Sequence, residues 1–297
     1  MKTPLRVFAL AAVLASALQA QQKVDIHRAA SPTVSVRLNG ALGNVRVIGW
    51  DRDSIALTGG IGAGSRLDGG PLSGTGPVSG MKFYVDAADE AASRGNRLEL
   101  RVPRTARVWI KSGSADIDVS AITGGLDLNI VGGSVKVSGT PRELIVESMD
   151  GSVQFDGVAD YARIKTATGD ITLRARGDDF SVTTISGAIA VNPADGAFQR
   201  ARFESVTGAI TFAANIARGG DVRFDTHSGA VELRFPPQVS AEFDVVTITG
   251  AIENDINSRR PIAGREGRGM ELGTSSGTGG ARVQIRSFKG NVKLTTR

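Results

Sequence analysis

The chain predicts an all-β fold, a single-domain parallel β-helix (β-solenoid) with about 18–21 residues per coil. The first observation is a nine-fold repeat. Aligned on Ala115, Gly133, Gly151, Gly169, Gly187, Gly208, Gly229, Gly250 and Gly290, the positions seven and five before and two and four after are apolar in 35 of 36 cases. Chance would fill about 15 of them, and only Asn254 departs. The second is the spacing, 18 residues four times, 21 three times, and 40 across one insertion. The third is the position three before the glycine, which is Ser or Thr in eight of nine units: Ser112, Ser148, Thr166, Thr184, Ser205, Thr226, Thr247 and Ser287, with Ile130 as the exception.

Each unit reads apolar-x-apolar-x-Ser/Thr-x-x-Gly-x-apolar-x-apolar. Alternate residues of a strand face opposite sides, so each half sends two side chains inward. The glycine marks a sharp turn between the halves, where a positive φ is cheap without a Cβ. A two-stranded unit is marginal alone. Stacked in parallel on copies of itself at roughly 4.8 Å, nine units make a rod roughly 40 Å long with one core. The Ser/Thr column shares the inward parity and predicts a hydroxyl ladder that satisfies turn backbone groups. An outward threonine array like that of ice-binding solenoids is the weaker alternative.

Residues 1–20 read as a secretory signal peptide: Lys2 and Arg6, then an apolar stretch from Val7 to Leu18 too short to span a bilayer, then small residues before a cut after Ala20. The domain follows over 34–297. Val36, Leu38, Val45 and Val47 around Gly43 fit the repeat and predict a first coil, and 54–58 another strand. Residues 59–80 hold nine Gly and two Pro among 22, which predicts a Gly-rich flexible loop. Alternation returns at 82–85 and 97–102, and Pro103 ends the latter because proline cannot donate to a ladder. Residues 86–93 allow one or two helical turns at most. The regular coils start near Arg107. Between Gly250 and Gly290, residues 255–280 form a basic insertion placed to cap the end of the solenoid. Its Arg259, Arg260, Arg265 and Arg268 are candidates for contact with an envelope polyanion.

The formal net charge of +5 falls to +3 once the two charges of residues 1–20 are removed. That is mild for such a length and argues against nucleic acid. Without cysteine there is no disulfide framework, no lipid-bearing Cys and no thiolate zinc site. No second segment is apolar enough to span a membrane. The reading is an exported protein: periplasmic, surface-bound or secreted.

A search for chemistry finds no catalytic, cofactor or metal constellation. His27 and His227 have no ligand spacing, and His227 sits in a turn slot held elsewhere by Ala167, Ile185, Val206 and Ile248. Ser186-Gly187-Ala188 resembles a nucleophile turn, yet its kin recur in unit after unit without a helix behind. Asp116, Asp118 and Asp127 crowd the first regular coils. Glu204 and Asp225 share an outward column with Arg202 and Arg223 beside it, and Lys165 stands next to Glu147; these read as salt ladders of small value. Trp50, Trp109, Tyr84 and Tyr161 form no stripe, which weakens a lectin reading. One outward column is small and apolar: Ala188, Ala209, Ala230 and Ala251, expected on four successive coils, are candidates for an interface.

Gly43-x-Val45-x-Val47-x-Gly49-Trp50-Asp51, Leu98-x-Leu100-x-Val102-Pro103, and repeats such as Thr166-x-Thr168-Gly169-Asp170-Ile171 and Thr184-x-Ser186-Gly187-x-Ile189 resemble the bacterial putative-adhesin domains, exported domains of unknown function. The resemblance covers about residues 34–297. It implies an exported β-helix with a surface or adhesive role, and it brings no catalytic residues to carry over. The function expected is therefore a non-enzymatic envelope binding or structural protein, whose partner is an unidentified envelope or surface component or a second copy. The alternatives are a carbohydrate-active β-helix enzyme of the lyase or hydrolase kind and a scaffold partner of an envelope sensing system.

Overall fold

A computed structural model of the chain describes residues 22–72, 76–264 and 267–296. The signal-peptide reading of 1–20 and Arg265 lie outside them. Over the nine repeat units the solenoid is as the pattern predicts. All 35 apolar repeat positions are buried, from Val108 to Leu294. Ring packs on ring through the middle coils, with Phe203 stacked on Phe224 at 5.3 Å and Phe212 edge-on to Phe224 at the same distance. Parallel ladders keep the apolar columns of successive coils in register, so Ile171 lies between Val153 and Ile189. Asn254 breaks the pattern because the insertion leaves the coil there: its Nδ2 donates to the Arg259 carbonyl at 2.8 Å, and its Oδ1 accepts from the Ile256 N–H.

The repeat glycines serve a purpose other than the one expected. Of those in the column, Gly133 alone has a positive φ. What excludes a side chain is the coil below: a Cβ on Gly187, Gly208 or Gly290 would stand 1.9–2.1 Å from the carbonyl oxygen of the glycine beneath it. The column lets stacked turns come into contact, and the turn itself needs no left-handed residue.

The order of coils in space differs from their order in the chain at both ends. β1 (Gln22–Gly40) and β2 (Gly43–Trp50) form the Gly43 coil, which lies between two others. On one side it pairs with β5 (Val78–Ala87) and β6 (Arg97–Pro103), on the other with β7 (Arg107–Ser120). The far end mirrors this. The Gly290 coil, last in the chain, is inserted between the Gly229 and Gly250 coils: Asp225 pairs with Arg286, and Arg286 with Val246. The described chain thus enters and leaves the stack one coil in from each end.

Both ends are closed by antiparallel strands, which satisfies edges that would otherwise recruit another chain. β3 (Ser54–Ile61) lies on β6, and β4 (Ser65–Pro71) on β5. The described residues of 59–80 are therefore largely strand, and the loop expectation is corrected there. Their glycines mark close approach: a Cβ on Gly59 or Gly69, at φ +128° and +145°, would meet the Arg97 or Lys82 carbonyl oxygen at 2.1–2.2 Å. At the other end Met270–Ser276, inside the 255–280 insertion, runs antiparallel along Ala241–Thr247. The one α-helix among the described residues, α1 (Glu90–Arg94), is capped by Asp89, whose carboxylate accepts from the Ala92 N–H at 2.8 Å.

Candidate functional site: the corner of the coil

The hydroxyl column occupies the inner side of one corner, and all eight members are at most 9% exposed. Ser148, Thr166 and Ser287 donate to the carbonyl of the glycine three residues on, at 2.6–2.9 Å. Ser112 donates to the Gly40 carbonyl at 2.8 Å, across the junction with the Gly43 coil. Ser205 Oγ and Thr226 Oγ1 are buried without a partner among the described residues. The residue after each of these column positions, Ile130 included, turns outward. Its carbonyl accepts from the next coil: Asp150 N–H to Val131, Thr168 to Met149, Ser186 to Ala167, Thr207 to Ile185, Ser228 to Val206, Lys289 to His227 and Thr249 to Phe288. That ladder stacks the outward side chains in one line.

The line is apolar. Val131, Met149, Ala167, Ile185, Val206, His227, Phe288 and Ile248 follow one another up the rod. Met149 is 56% exposed, Ile185 54%, Val131 50%, Val206 45%, Phe288 44% and Ile248 40%. Such a contiguous exposed apolar ridge is the mark of an interaction site in a soluble domain. The His227 ring stacks on Phe288 with centroids 5.0 Å apart and planes 7° apart. Stacking along the axis covers ring faces and leaves edges outward, which suits an apolar partner better than a sugar face. His227 is thus part of the ridge.

Beside the ridge runs a second outward column, four residues before each glycine: Asn129, Glu147, Lys165, Thr183, Glu204, Asp225, Arg286 and Val246 in spatial order. Between ridge and column lie two shallow grooves of about 510 and 550 Å³, one flanked by Val131 and Met149 and the other by Val206 and Phe288. From the neighbouring outward positions Arg202 Nη2 contacts Glu204 of the column at 2.6 Å and Asp225 at 3.3 Å, and Asp244 contacts Arg286 at 2.5 Å. Arg223 turns instead to Asp221, at 3.1 Å, and that bond raises its pKa. One guanidinium bridging both carboxylates makes Glu204 and Asp225 a salt ladder. Among the described residues no group of three or more His, Cys, Asp or Glu could hold a metal ion.

The other candidates fall elsewhere. Ala188, Ala209, Ala230 and Ala251 are exposed, but not on four successive coils: the inserted Gly290 coil places Asn291 between Ala230 and Ala251, its Oδ1 accepting from the Ala251 N–H at 2.9 Å. Arg259, Arg260 and Arg268 are exposed on the capping insertion. Gly49-Trp50-Asp51 locks a corner. Trp50 Nε1 donates to the Ser54 carbonyl at 2.8 Å, and Arg104 holds Asp51 through two bonds of 2.6 and 3.2 Å. Those bonds keep the Asp51 carboxyl below its usual range. Sequence reasoning missed the ridge. The signal was present in the turn slot, where Ile185, Val206 and Ile248 recur, but nothing in the pattern said how exposed that slot is.

Among the described residues no helix is long and apolar enough to cross a membrane. Solved structures that resemble the chain include two adhesion-related ones. One is a putative adhesin from Bacteroides fragilis, 8% identical, with 93% of this chain and 98% of that one covered and a TM-score of 0.44. The other is a putative cell adhesion protein from Clostridium sporogenes, 9% identical, with 93% and 100% covered and a TM-score of 0.22. No curated protein matches. Residues 66–295, well over half of the chain, match the model of the Toastrack DUF4097 family, and the chain belongs to that family.

Proposed function

We propose that the chain is a non-enzymatic, exported β-solenoid that serves as a binding or adhesin-like structural surface of the cell envelope, and that the corner ridge is the face it uses. The exposed line from Val131 to Ile248 carries this reading. It joins side chains from eight coils into one strip, and no packing among the described residues accounts for it. The expectation that Glu204 and Asp225 form a salt ladder rather than a glycan-cleaving pair fits the bridging Arg202.

The test is retention on envelope fractions. Met149 and Ile185 are exposed, so Met149→Lys with Ile185→Lys should leave the melting curve within about 1 kcal/mol of the parent. Retention should fall by roughly tenfold or more, since a lysine in an apolar contact is desolvated without a partner. A double variant that is retained like the parent would remove the ridge from the proposal.

A further inference from the structure

We infer that the ridge is the interface of an antiparallel homodimer, with the two-fold axis crossing it between the Gly187 and Gly208 coils. This rests on the reading of the ridge as the contact face and names its partner as a second copy of this chain.

The repeat comes first. Ridge side chains recur every coil, roughly 4.8 Å, whereas a helix presents one face every 5.4 Å and an extended strand every 6.7 Å or so. Either would lose register within a few coils. A second solenoid with the same spacing can interdigitate along all eight coils of the ridge, roughly 34 Å from end to end.

Charge complementarity then selects the arrangement. The ridge runs from Val131 to Ile248, four coils on each side of the proposed axis. A two-fold there sets Val131 against Ile248, Met149 against Phe288, Ala167 against His227 and Ile185 against Val206. The flanking columns pair with opposite sign: Glu147 faces Arg286, Lys165 faces Asp225, and, on the other flank, Asp150 faces Lys289. No like charges meet in those columns. A shift of one coil in either direction sets Glu147 on Asp225 or Lys165 on Arg286. A parallel dimer would set each flank against the other at the same level, so Glu147 would meet Asp150 and Arg286 would meet Lys289. Like charges at an interface select against those arrangements.

The inserted last coil is essential to the match. Stacked in chain order, the Gly290 coil would lie at the end of the ridge, and Arg286 and Lys289 would face Asn129 and Gly132. Its place beneath the Gly250 coil brings them opposite Glu147 and Asp150. Arg286 and Asp225 already hold partners within the chain, so their contacts extend an existing network. Asp150 and Lys289 have no intrachain ion pair among the described residues, and they stand five coils apart in one copy. They are the pair to test. A footprint eight coils long and one corner wide is at the low end of specific interfaces.

Sedimentation velocity of the mature chain from about 1 to 300 μM should show a reversible dimer. Asp150→Lys or Lys289→Asp alone should weaken dimerisation by about tenfold or more, and the double reversal should restore it. Because the chain has no cysteine, orientation can be read with introduced thiols. Val131→Cys mixed with Ile248→Cys should give a disulfide-linked heterodimer, and Val131→Cys alone should give none. Dimers in which Val131→Cys links to itself would overturn the antiparallel arrangement. A chain that stays monomeric throughout, or a double reversal without rescue, would overturn the dimer. If the monomer is still retained on envelope fractions through the ridge, the proposed function survives that result.

Discussion

At the turn of the Gly208 coil a methyl group would stand 1.9 Å from the Gly187 carbonyl oxygen and 2.7 Å from its carbon. Neither atom can move without separating two coils. Gly208→Ala is therefore expected to destabilise the protein by roughly 2–4 kcal/mol, with unfolding monitored in urea. Gly113→Ala is the control: it has open space and no positive φ, so its midpoint should shift by less than about 0.5 kcal/mol. Equal effects would mean that the column is occupied by glycine for some reason other than contact. The sequence supplied the position of these glycines and misled on their cause, because a turn that needs a left-handed residue and one that needs a bare backbone select the same amino acid. The hydroxyls were easier to read. Parity alone put Ser148, Thr166 and Ser287 inside, and an inward hydroxyl beside a turn finds the turn carbonyl.

Among the elements, the repeat strands were legible because burial is periodic in sequence: Val222, Phe224, Val231 and Leu233 are each at most 1% exposed. The covering strands were not. β4 reads Ser65-Arg66-Leu67-Asp68-Gly69-Gly70-Pro71, with glycine where it passes close to β5, and such a composition also describes a loop. Met270–Ser276 likewise lay in an insertion read as a cap with nothing in it to mark a strand, and its one deeply buried side chain is Leu272, 2% exposed opposite Val245. That residue holds the cover in place. Leu272→Asp should detach the strand and free the edge of Ala241–Thr247, so limited proteolysis should cut within 256–280 while light scattering reports association through the freed edge. If proteolysis and scattering match the parent, ladder hydrogen bonds alone retain the cover.

For the whole molecule, the apolar pattern marked the nine repeat coils but not their order in space, since a strand that fits between two neighbours fits equally beyond them. Core columns carry no such addresses. The order does have a measurable signature. Chain ends ordinarily fray and exchange their amides first. Here Arg282–Ser287 has a ladder on each edge, with Asp221–Thr226 on one side and Ala241–Thr247 on the other. Its amides should exchange as slowly as those of 222–226 in native-state hydrogen exchange. Early exchange of the 282–287 peptide would show that the inserted coil opens before its neighbours.

The inserted coils also determine how the protein would bear tension. In a solenoid stacked in chain order, a pull on the last residue meets an outermost coil with one neighbour, and the stack can unravel from its end a single ladder at a time. Here a pull on the C-terminal segment acts on Val292–Thr296, which is flanked by Val231–Phe235 and by Ile252–Asn254. Extracting it breaks two ladders together and leaves a gap in the core before any outer coil is released. At the other terminus β3 must be stripped from residues 22–29 before the load reaches the Gly43 coil, which is again held on both sides. Rupture under load is governed by the barrier to the first opening event, and this topology places that event inside the stack. A tether between an envelope and whatever it holds would gain from such a lock without any disulfide.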